Sequence, residues 1–289
     1  MNRAKIYLPL LAIFVLAITL FSACKKDVPT DTSGTTNLSI FLTDDPCIYD
    51  SVFVDIAYVE VKIDTSSDMD DDHHGDDDHD GDDDHHHHDE YGIWDTLSIT
   101  PGVYNIATLR NGVNTLLASG TLPAGTIRKI RITLGTNNSV VIGGVSSPLL
   151  LFPGTNNYVY IKIHREHQDN NGGANTAIWL DFNICSSIIH INGQYYLKPF
   201  IRPFCMQQFG KIEGRVFPQA AHTLITARNA TDSGSAIADH DGEYRIMGLH
   251  EGTYTLTFDG LAPYIDTTIN NVQVQNGHET HVADVTLHQ

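Results

Sequence analysis

The residues best equipped for chemistry lie together. Asp68 to Glu90 reads DMDDDHHGDDDHDGDDDHHHHDE, with twelve Asp, one Glu and seven His and no Lys or Arg. Carboxylate oxygens suit Ca²⁺, while imidazole nitrogens suit Zn²⁺, Ni²⁺ and Cu²⁺. The candidate ligands are Asp70, Asp72, His73, His74, Asp76, Asp78, His79, Asp80, His85, His86, His87 and His88. Asp76, Asp78, Asp80 and Gly81 match the opening of a calcium loop, but His87 stands where the bidentate Glu belongs. The four consecutive His alternate sides in an extended chain, so a closed tetrahedral shell needs chain folding or a second molecule. The expectation is weak, interchangeable uptake of Zn, Ni, Cu or Ca, or no selected ligand at all. The tract holds 13 of the 35 acidic side chains, and without it the net charge would fall from -18 to -5. A run so self-repelling and poor in apolar residues reads as a disordered surface loop, residues 68–90.

Other candidate sites are weaker. His278-Glu279-Thr280-His281 has its His three apart, whereas a zinc-protease helix needs them four apart on one face. His164, Glu166 and His167 precede Asp169-Asn170-Asn171-Gly172-Gly173 and read as solvated turn residues. Glu60, Glu213, Glu243 and Glu251 are available as paired carboxylates, as in any acidic β-protein. Asp239, Asp241 and Glu243 admit a calcium reading, although Asp241-Gly242 is sufficiently explained as a hairpin turn. Trp94, Trp179 and the Tyr residues are candidates for a glycan-binding face, with a core role expected for both Trp. No nucleophile elbow, phosphate-binding Gly loop or dinucleotide fingerprint occurs. The acidic balance, with no basic patch, disfavours nucleic acid.

The amino terminus supplies an address. Arg3 and Lys5 precede an uncharged apolar run from Ile6 to Ala23, as in an export signal. Phe21-Ser22-Ala23-Cys24 resembles a bacterial lipobox, which implies cleavage after residue 23 and lipidation of Cys24. Several acyl chains on one Cys give stable anchoring, since each buried CH₂ contributes about 0.8 kcal/mol. Lys25 follows the Cys, without an Asp that would resemble an inner-membrane retention signal, so the outer membrane is favoured. Residues 24–36 then form a lipid-anchored flexible tether.

The elements that must position any site are β-strands. From Asn37 to Phe204 short runs alternate apolar and polar residues between Gly, Pro, Asn and Ser clusters: Asn37–Leu42, Val52–Ile63, Val103–Ala107, Ser139–Ile142, Leu149–Phe152, Ile178–Phe182, Ser187–Ile191 and Tyr195–Ile201, with Ile130–Leu134 and Val159–Ile163 the clearest. Asn192-Gly193 marks a hairpin. Gly112 to Ser119 is expected to give the one helical turn. The runs LTDDPCIYDSVFVDIAYVEVKI, IWDTL, TLPAGTIRKIRITLG, WLDFNICSSI and YYLKPFIRPF, in this order and spacing, resemble DUF4382, a family of bacterial lipoprotein domains of unknown function. The resemblance covers residues 37–204, implies an exported β-rich binding or structural domain, and explains the acidic tract as a variable insertion.

A second set of strands fills residues 210–289, enough for one small sandwich. ADHDGEYRIMGLHEGTYTLTF resembles the carboxypeptidase regulatory-like, transthyretin-like or prealbumin-like β-sandwich. The resemblance implies that Asp241-Gly242, Gly248-Leu249 and Gly252-Thr253-Tyr254 serve turns and core. The fold class is all-β, with two β-sandwich-like domains. If Cys24 is acylated, Cys47, Cys185 and Cys205 remain, in an oxidising compartment. All three pairings are open, with Cys47–Cys185 preferred because both lie where strands begin or end near turns. The reading is a non-catalytic exported lipoprotein that binds glycan, protein or divalent metal at the cell envelope. The alternatives are an accessory or catalytic part of an extracellular hydrolase system and a structural spacer. A buried cluster of titratable groups in a concave pocket would favour catalysis; an exposed aromatic strip would favour glycan.

Overall fold

The computed structural model describes residues 34–47, 49–65, 92–167 and 175–289. The leader, Cys24, every candidate metal ligand of the acidic tract and the Asp169–Gly173 turn lie outside these residues. Among the described residues no helix is long and apolar enough to cross a membrane.

The first region is built from two sheets. One contains β1 (Thr35–Thr43), β4 (Ser98–Ile99), β6 (Thr115–Pro123), β11 (Asn175–Phe182) and β14 (Ile201–Phe204), in the order β14-β11-β1-β6-β4. The larger sheet is centred on β2 (Ser51–Asp64), flanked by β3 (Ile93–Thr96) and β5 (Gly102–Asn105) and continuing through β7 (Thr126–Leu134) to β10 (Tyr158–Lys162). Its other end holds β8 (Ser139–Ile142), β9 (Val145–Leu151), β12 (Ile188–Ile191) and β13 (Gln194–Leu197). The tether is shorter than the sequence implied, because Thr35 and Thr36 already pair with Pro123 and Leu122.

Period-two burial decides how these strands face. Leu38, Ile40 and Leu42 of β1 point inward, as do Val52, Val54 and Ile56 of β2. A register shift between Ile56 and Tyr58 then changes the parity, so that Val59, Val61 and Ile63 also reach the core. The same shift turns Tyr58, Glu60 and Lys62 to the opposite face. Each fully buried aliphatic side chain contributes about 1.5–3 kcal/mol, and this single bulge keeps six of them inside one strand.

Gly112 to Ser119 does not form a helical turn. Thr115 to Ser119 enter β6, which pairs along β1, and Leu117 and Ala118 are buried. The helix propensity of Leu and Ala there yields to cross-strand pairing and burial. Short helical turns occur instead at Ile106–Thr108, Arg165–His167 and Gln219–Ala221, and in α1 (Ile184–Ser187), capped by the Asn183 side chain on Ser186 N at 2.8 Å. The Asn192-Gly193 hairpin does form between β12 and β13, with both residues at positive φ.

Cys47 leaves β1 and Cys185 lies in α1 just after β11, and these neighbouring parallel strands place the two Cα atoms 5.3 Å apart in a disulfide. The bridge spans 138 residues of sequence, and closing so long a loop restricts the unfolded chain by about 5 kcal/mol in the chain-entropy picture. Cys205 keeps a buried thiol that donates to Glu166 O at 3.1 Å.

The second region is a four-on-four sandwich. β15 (Gly210–Phe217) pairs with β18 (Glu243–Leu249), β21 (Glu279–His281) and β22 (Val285–Thr286). The facing sheet is β17 (Ser233–Ile237), β16 (Leu224–Arg228), β19 (Gly252–Asp259) and β20 (Thr267–Val274). Between them lie Ile212, Val216, Ile225, Tyr244, Ile246, Leu256 and Phe258. Asp241-Gly242 is a turn, with Gly242 at φ +79, but not a hairpin: β17 and β18 belong to different sheets, and the turn carries the chain across. Each region thus has its own buried cluster, and Ser33–Gln289 form one compact unit.

Candidate functional site

Two arrangements concentrate functional side chains, one buried and one exposed. The buried one begins at Asp181, a lone acid in the apolar run of β11, whose register partner on β14 is Arg202, a lone base. Arg202 Nη2 lies 2.7 Å from Asp181 Oδ2 and 3.0 Å from Asp45 Oδ2, and Asp45 N donates to Asp181 Oδ1 at 2.9 Å. The same guanidinium crosses to the second region: Nη1 donates to Ser233 O at 2.9 Å and sits 3.6 Å from Asp232 Oδ1. Asp232 accepts from the Tyr254 hydroxyl at 2.6 Å and from His250 N at 2.9 Å. Ser235 N donates back to Asp45 Oδ1 at 3.4 Å.

Burial sets the protonation here. Desolvation, together with the Asp181 charge, pushes the Asp45 carboxyl up to about 7 against the pull of Arg202. Desolvation raises Asp44 and Asp181 as well. Burial would raise Asp232 too, but the hydrogen bonds from Tyr254 and His250 outweigh it and hold that carboxyl below its ordinary value. Raised carboxyls in a cleft are the pattern of a general acid. The cavity beside Asp44 and Asp45 is about 10 Å³, room for one water. Arg202 is committed to Asp45, Asp181, Asp232 and Ser233 O. The cluster therefore works as a joint between the two regions. Asp181 and Arg202 also border a pocket of about 190 Å³, lined with them by Phe204, Phe209, Met247, His167 and His250.

The exposed arrangement is on the outer face of β2, β3, β7 and β10. Glu60 pairs in register with Thr96 on one side and Arg131 on the other, and Arg131 with Tyr160. Glu60 receives two bonds from Arg131, Nε to Oε2 at 2.6 Å and Nη2 to Oε1 at 2.5 Å. The hydrogen bond to Glu60, reinforced by the Tyr160 phenol, raises the Arg131 pKa and keeps it charged. Its Cζ lies 4.7 Å from the Trp94 ring centroid and 5.9 Å from that of Tyr158. Trp94 and Tyr160 are 5.9 Å apart with planes 35° from parallel, and Tyr158 and Tyr160 are 5.1 Å apart. Trp94 is 38% exposed, Tyr160 48% and Tyr58 59%. The expectation of a core role for both Trp fails for Trp94, because β3 is a short flanking strand that lays its ring on the outer face. Trp179 is half-buried on the face of β11 opposite the core residues Ile178, Leu180 and Phe182, where it stacks on Phe41 at 5.0 Å and lies 6.3 Å from Phe204, so it too stands outside the first region's core.

The other sequence candidates are scattered. His281 is exposed on β21, with Nδ1 3.6 Å from Glu213, while Glu279 pairs with Lys211. His167 is not a solvated turn residue: its side chain is only 12% exposed, it stacks against Phe209, and burial lowers its pKa. Asp239 uses Oδ1 to accept from Asp241 N and Glu243 N at 2.9 Å, and Glu243 pairs with Arg215. Among the described residues no group of three or more His, Cys, Asp or Glu is placed to hold a metal ion. The acidic tract bridges adjacent strand ends, since Ile63 and Ile93 are register partners. Sequence reasoning missed Asp45, Asp181 and Arg202; a lone charge within an otherwise apolar strand is the signal that could have found the last two.

The family model of DUF4382, a domain of unknown function, matches residues 35–199, more than half of the chain. The chain belongs to this family. The DUF4382 region thus comprises β1 to β13, including the aromatic face, Asp45 and Asp181. No curated protein matches the sequence. Among solved structures, a type II cohesin–X-dockerin complex from Acetivibrio cellulolyticus matches 27% of this chain and 56% of its own, at 21% identity and TM-score 0.23. The chain spans little more than half the length of that structure. The minor pilin GBS52 of Streptococcus agalactiae matches 88% of this chain and 97% of its own, at 9% identity and TM-score 0.21. The Bacillus anthracis TIE protein matches 89% of this chain and 35% of its own, at 12% identity and TM-score 0.23.

Proposed function

We propose that this DUF4382 protein is a non-catalytic exported lipoprotein, held at the outer membrane through Cys24, that binds glycan on the face built around Trp94. The observation that carries the reading is the exposed Trp94–Tyr160 pair set over the Arg131–Glu60 clamp. A pyranose ring offers an apolar face of C–H bonds and a rim of hydroxyls. Aromatic rings stack on the first, and a fixed guanidinium–carboxylate pair meets the second with donors and acceptors together. Arg131 is held in one geometry by two hydrogen bonds and by its ring contacts, so little side-chain freedom is lost on binding. An apolar protein partner would be better served by aliphatic cover, and here the flanking strands β7 and β10 present Lys129 and Lys162.

Against the catalytic alternative, the side chains of the Asp45–Asp181–Arg202 cluster are already paired with one another, including the Asp181 and Arg202 that border the 190 Å³ pocket. The carboxyl-terminal sandwich serves as the carboxypeptidase regulatory-like module that carries the binding region. A glycan array probed with the full chain in detergent, repeated with Trp94→Ala, tests the reading. Saturable binding to one glycan class, weakened about tenfold or more in the variant while thermal stability is kept, supports it. Binding unchanged by Trp94→Ala overturns it.

A further inference from the structure

The Trp94 face changes character along its strands. Tyr158, Tyr160 and Lys162 leave β10 on one side, since Ile161 between the last two is buried. The cross-strand row that contains Tyr160 also holds Arg131 and Glu60. The next row holds Lys162, Lys129 and Lys62, with Trp94 the register partner of Lys62. At the opposite end Tyr58 pairs with Thr133, and Thr133 with Tyr158. The face therefore runs from a tyrosine end, through the Trp94–Tyr160 pair, to a lysine end.

Charge gives the lysine end its meaning. The carboxylates bordering the face are engaged by arginines: Glu60 accepts from Arg131 at 2.6 and 2.5 Å, and Asp64 from Arg128 at 2.8 Å. The formal charge of the face is thus positive, in a chain whose net charge is -18. Lys62 is buried and Lys129 half-buried, so the cation most open to a ligand is Lys162, on the outermost strand of the sheet. Lys162 follows Tyr160 by two residues, about 7 Å along the strand. Its ammonium, carried on a flexible stem, can reach an acid group on a sugar stacked at Tyr160 or on the sugar next to it. A neutral sugar would use the rings and the Arg131–Glu60 clamp alone. An acidic sugar uses these and the lysine end as well.

We infer that the glycan taken by the Trp94 face is acidic: a sugar ring stacks on the Trp94–Tyr160 pair while a carboxylate or sulfate on the same chain meets Lys162. This rests on the glycan reading and names its ligand class. A bond between an ammonium and an oxyanion is charge-assisted, stronger than one to a hydroxyl, so it discriminates acidic from neutral sugars on the same rings.

The test is an array of matched oligosaccharides, each present in neutral, uronate and sulfated form, probed with the full chain in detergent. Members that bind are then titrated by calorimetry. The acidic forms should bind about tenfold or more tighter than the neutral ones, and Lys162→Gln should remove most of that margin without a loss of melting temperature. A margin for uronate alone assigns a carboxylate, and one for the sulfated form alone assigns a sulfate ester. The inference is overturned, with the glycan reading intact, if neutral forms bind as tightly as acidic ones or if Lys162→Gln keeps the full margin. If no form binds, or if Trp94→Ala leaves binding unchanged, the glycan reading falls and the inference with it.

Discussion

Asp181 and Arg202 face each other across β11 and β14 with Oδ2 and Nη2 2.7 Å apart, and the guanidinium reaches on to the β16–β17 turn of the second region. One charge pair inside the first sheet is thus also the joint to the second sandwich. Removing its cation strands a buried carboxylate. Arg202→Ala is expected to cost about 3–5 kcal/mol in urea unfolding, whereas Asp45→Asn, which leaves the Arg202–Asp181 pair in place, should cost far less.

The joint should also tighten on acidification. Asp45 faces Asp181, Arg202 and, through the guanidinium, Asp232, and its carboxyl is raised from 3.8 to about 7 in the fold. A raised acid takes up its proton more readily when folded, so its contribution to stability is complete below the unfolded value and disappears as pH rises through about 7. Unfolding free energy should therefore decline from pH 5 to pH 8, by up to about 1.4 kcal/mol per unit for this group. Asp45→Asn should flatten that slope. A slope that survives the substitution would place the titration elsewhere.

The all-β class, the Asn192-Gly193 hairpin and the split into two cores could all be read from alternation and turn residues, because these signals are local. The joint could not, since Asp45, Asp181, Arg202 and Asp232 come from four separate stretches whose meeting depends on sheet order and on β1 running parallel to β11. Trp94 was misjudged for a related reason. Its four-residue strand gives too little alternation to tell an inner from an outer face, and only pairing with Lys62 fixes it outside. The Leu-rich start of β6 misled through propensity, which long-range pairing overrode.

For the acidic tract, insertion between the paired ends of β2 and β3 has a direct consequence. Deleting Asp68 to Glu90 leaves Ile63 and Ile93 in register, and lengthening or shortening such a loop costs only fractions of a kcal/mol per doubling. Thermal stability should be unchanged. We propose that the tract collects transition metals weakly, so calorimetric Zn²⁺ uptake should be present in the full chain and lost in the deletion. Uptake should also fade below about pH 6.5 as the His protonate. Equal uptake by both chains would reject the tract as the collector.

The proposed anchoring rests on Cys24. Cys24→Ser is expected to accumulate as an unprocessed precursor with altered membrane fractionation. Normal processing to a soluble mature form would refute lipidation.

In the proposed function the ligand stacks on Trp94, and the chain has two Trp. Replacing the half-buried Trp179, which lies on the other sheet, with Phe leaves Trp94 as the single Trp emitter, on the face in question. Titrating this variant with a glycan selected on the array should give a saturable blue shift of Trp94 emission, with the same midpoint as calorimetry, as the 38% exposed ring is covered. Calorimetric binding of that glycan with no change in Trp94 emission would contradict the account.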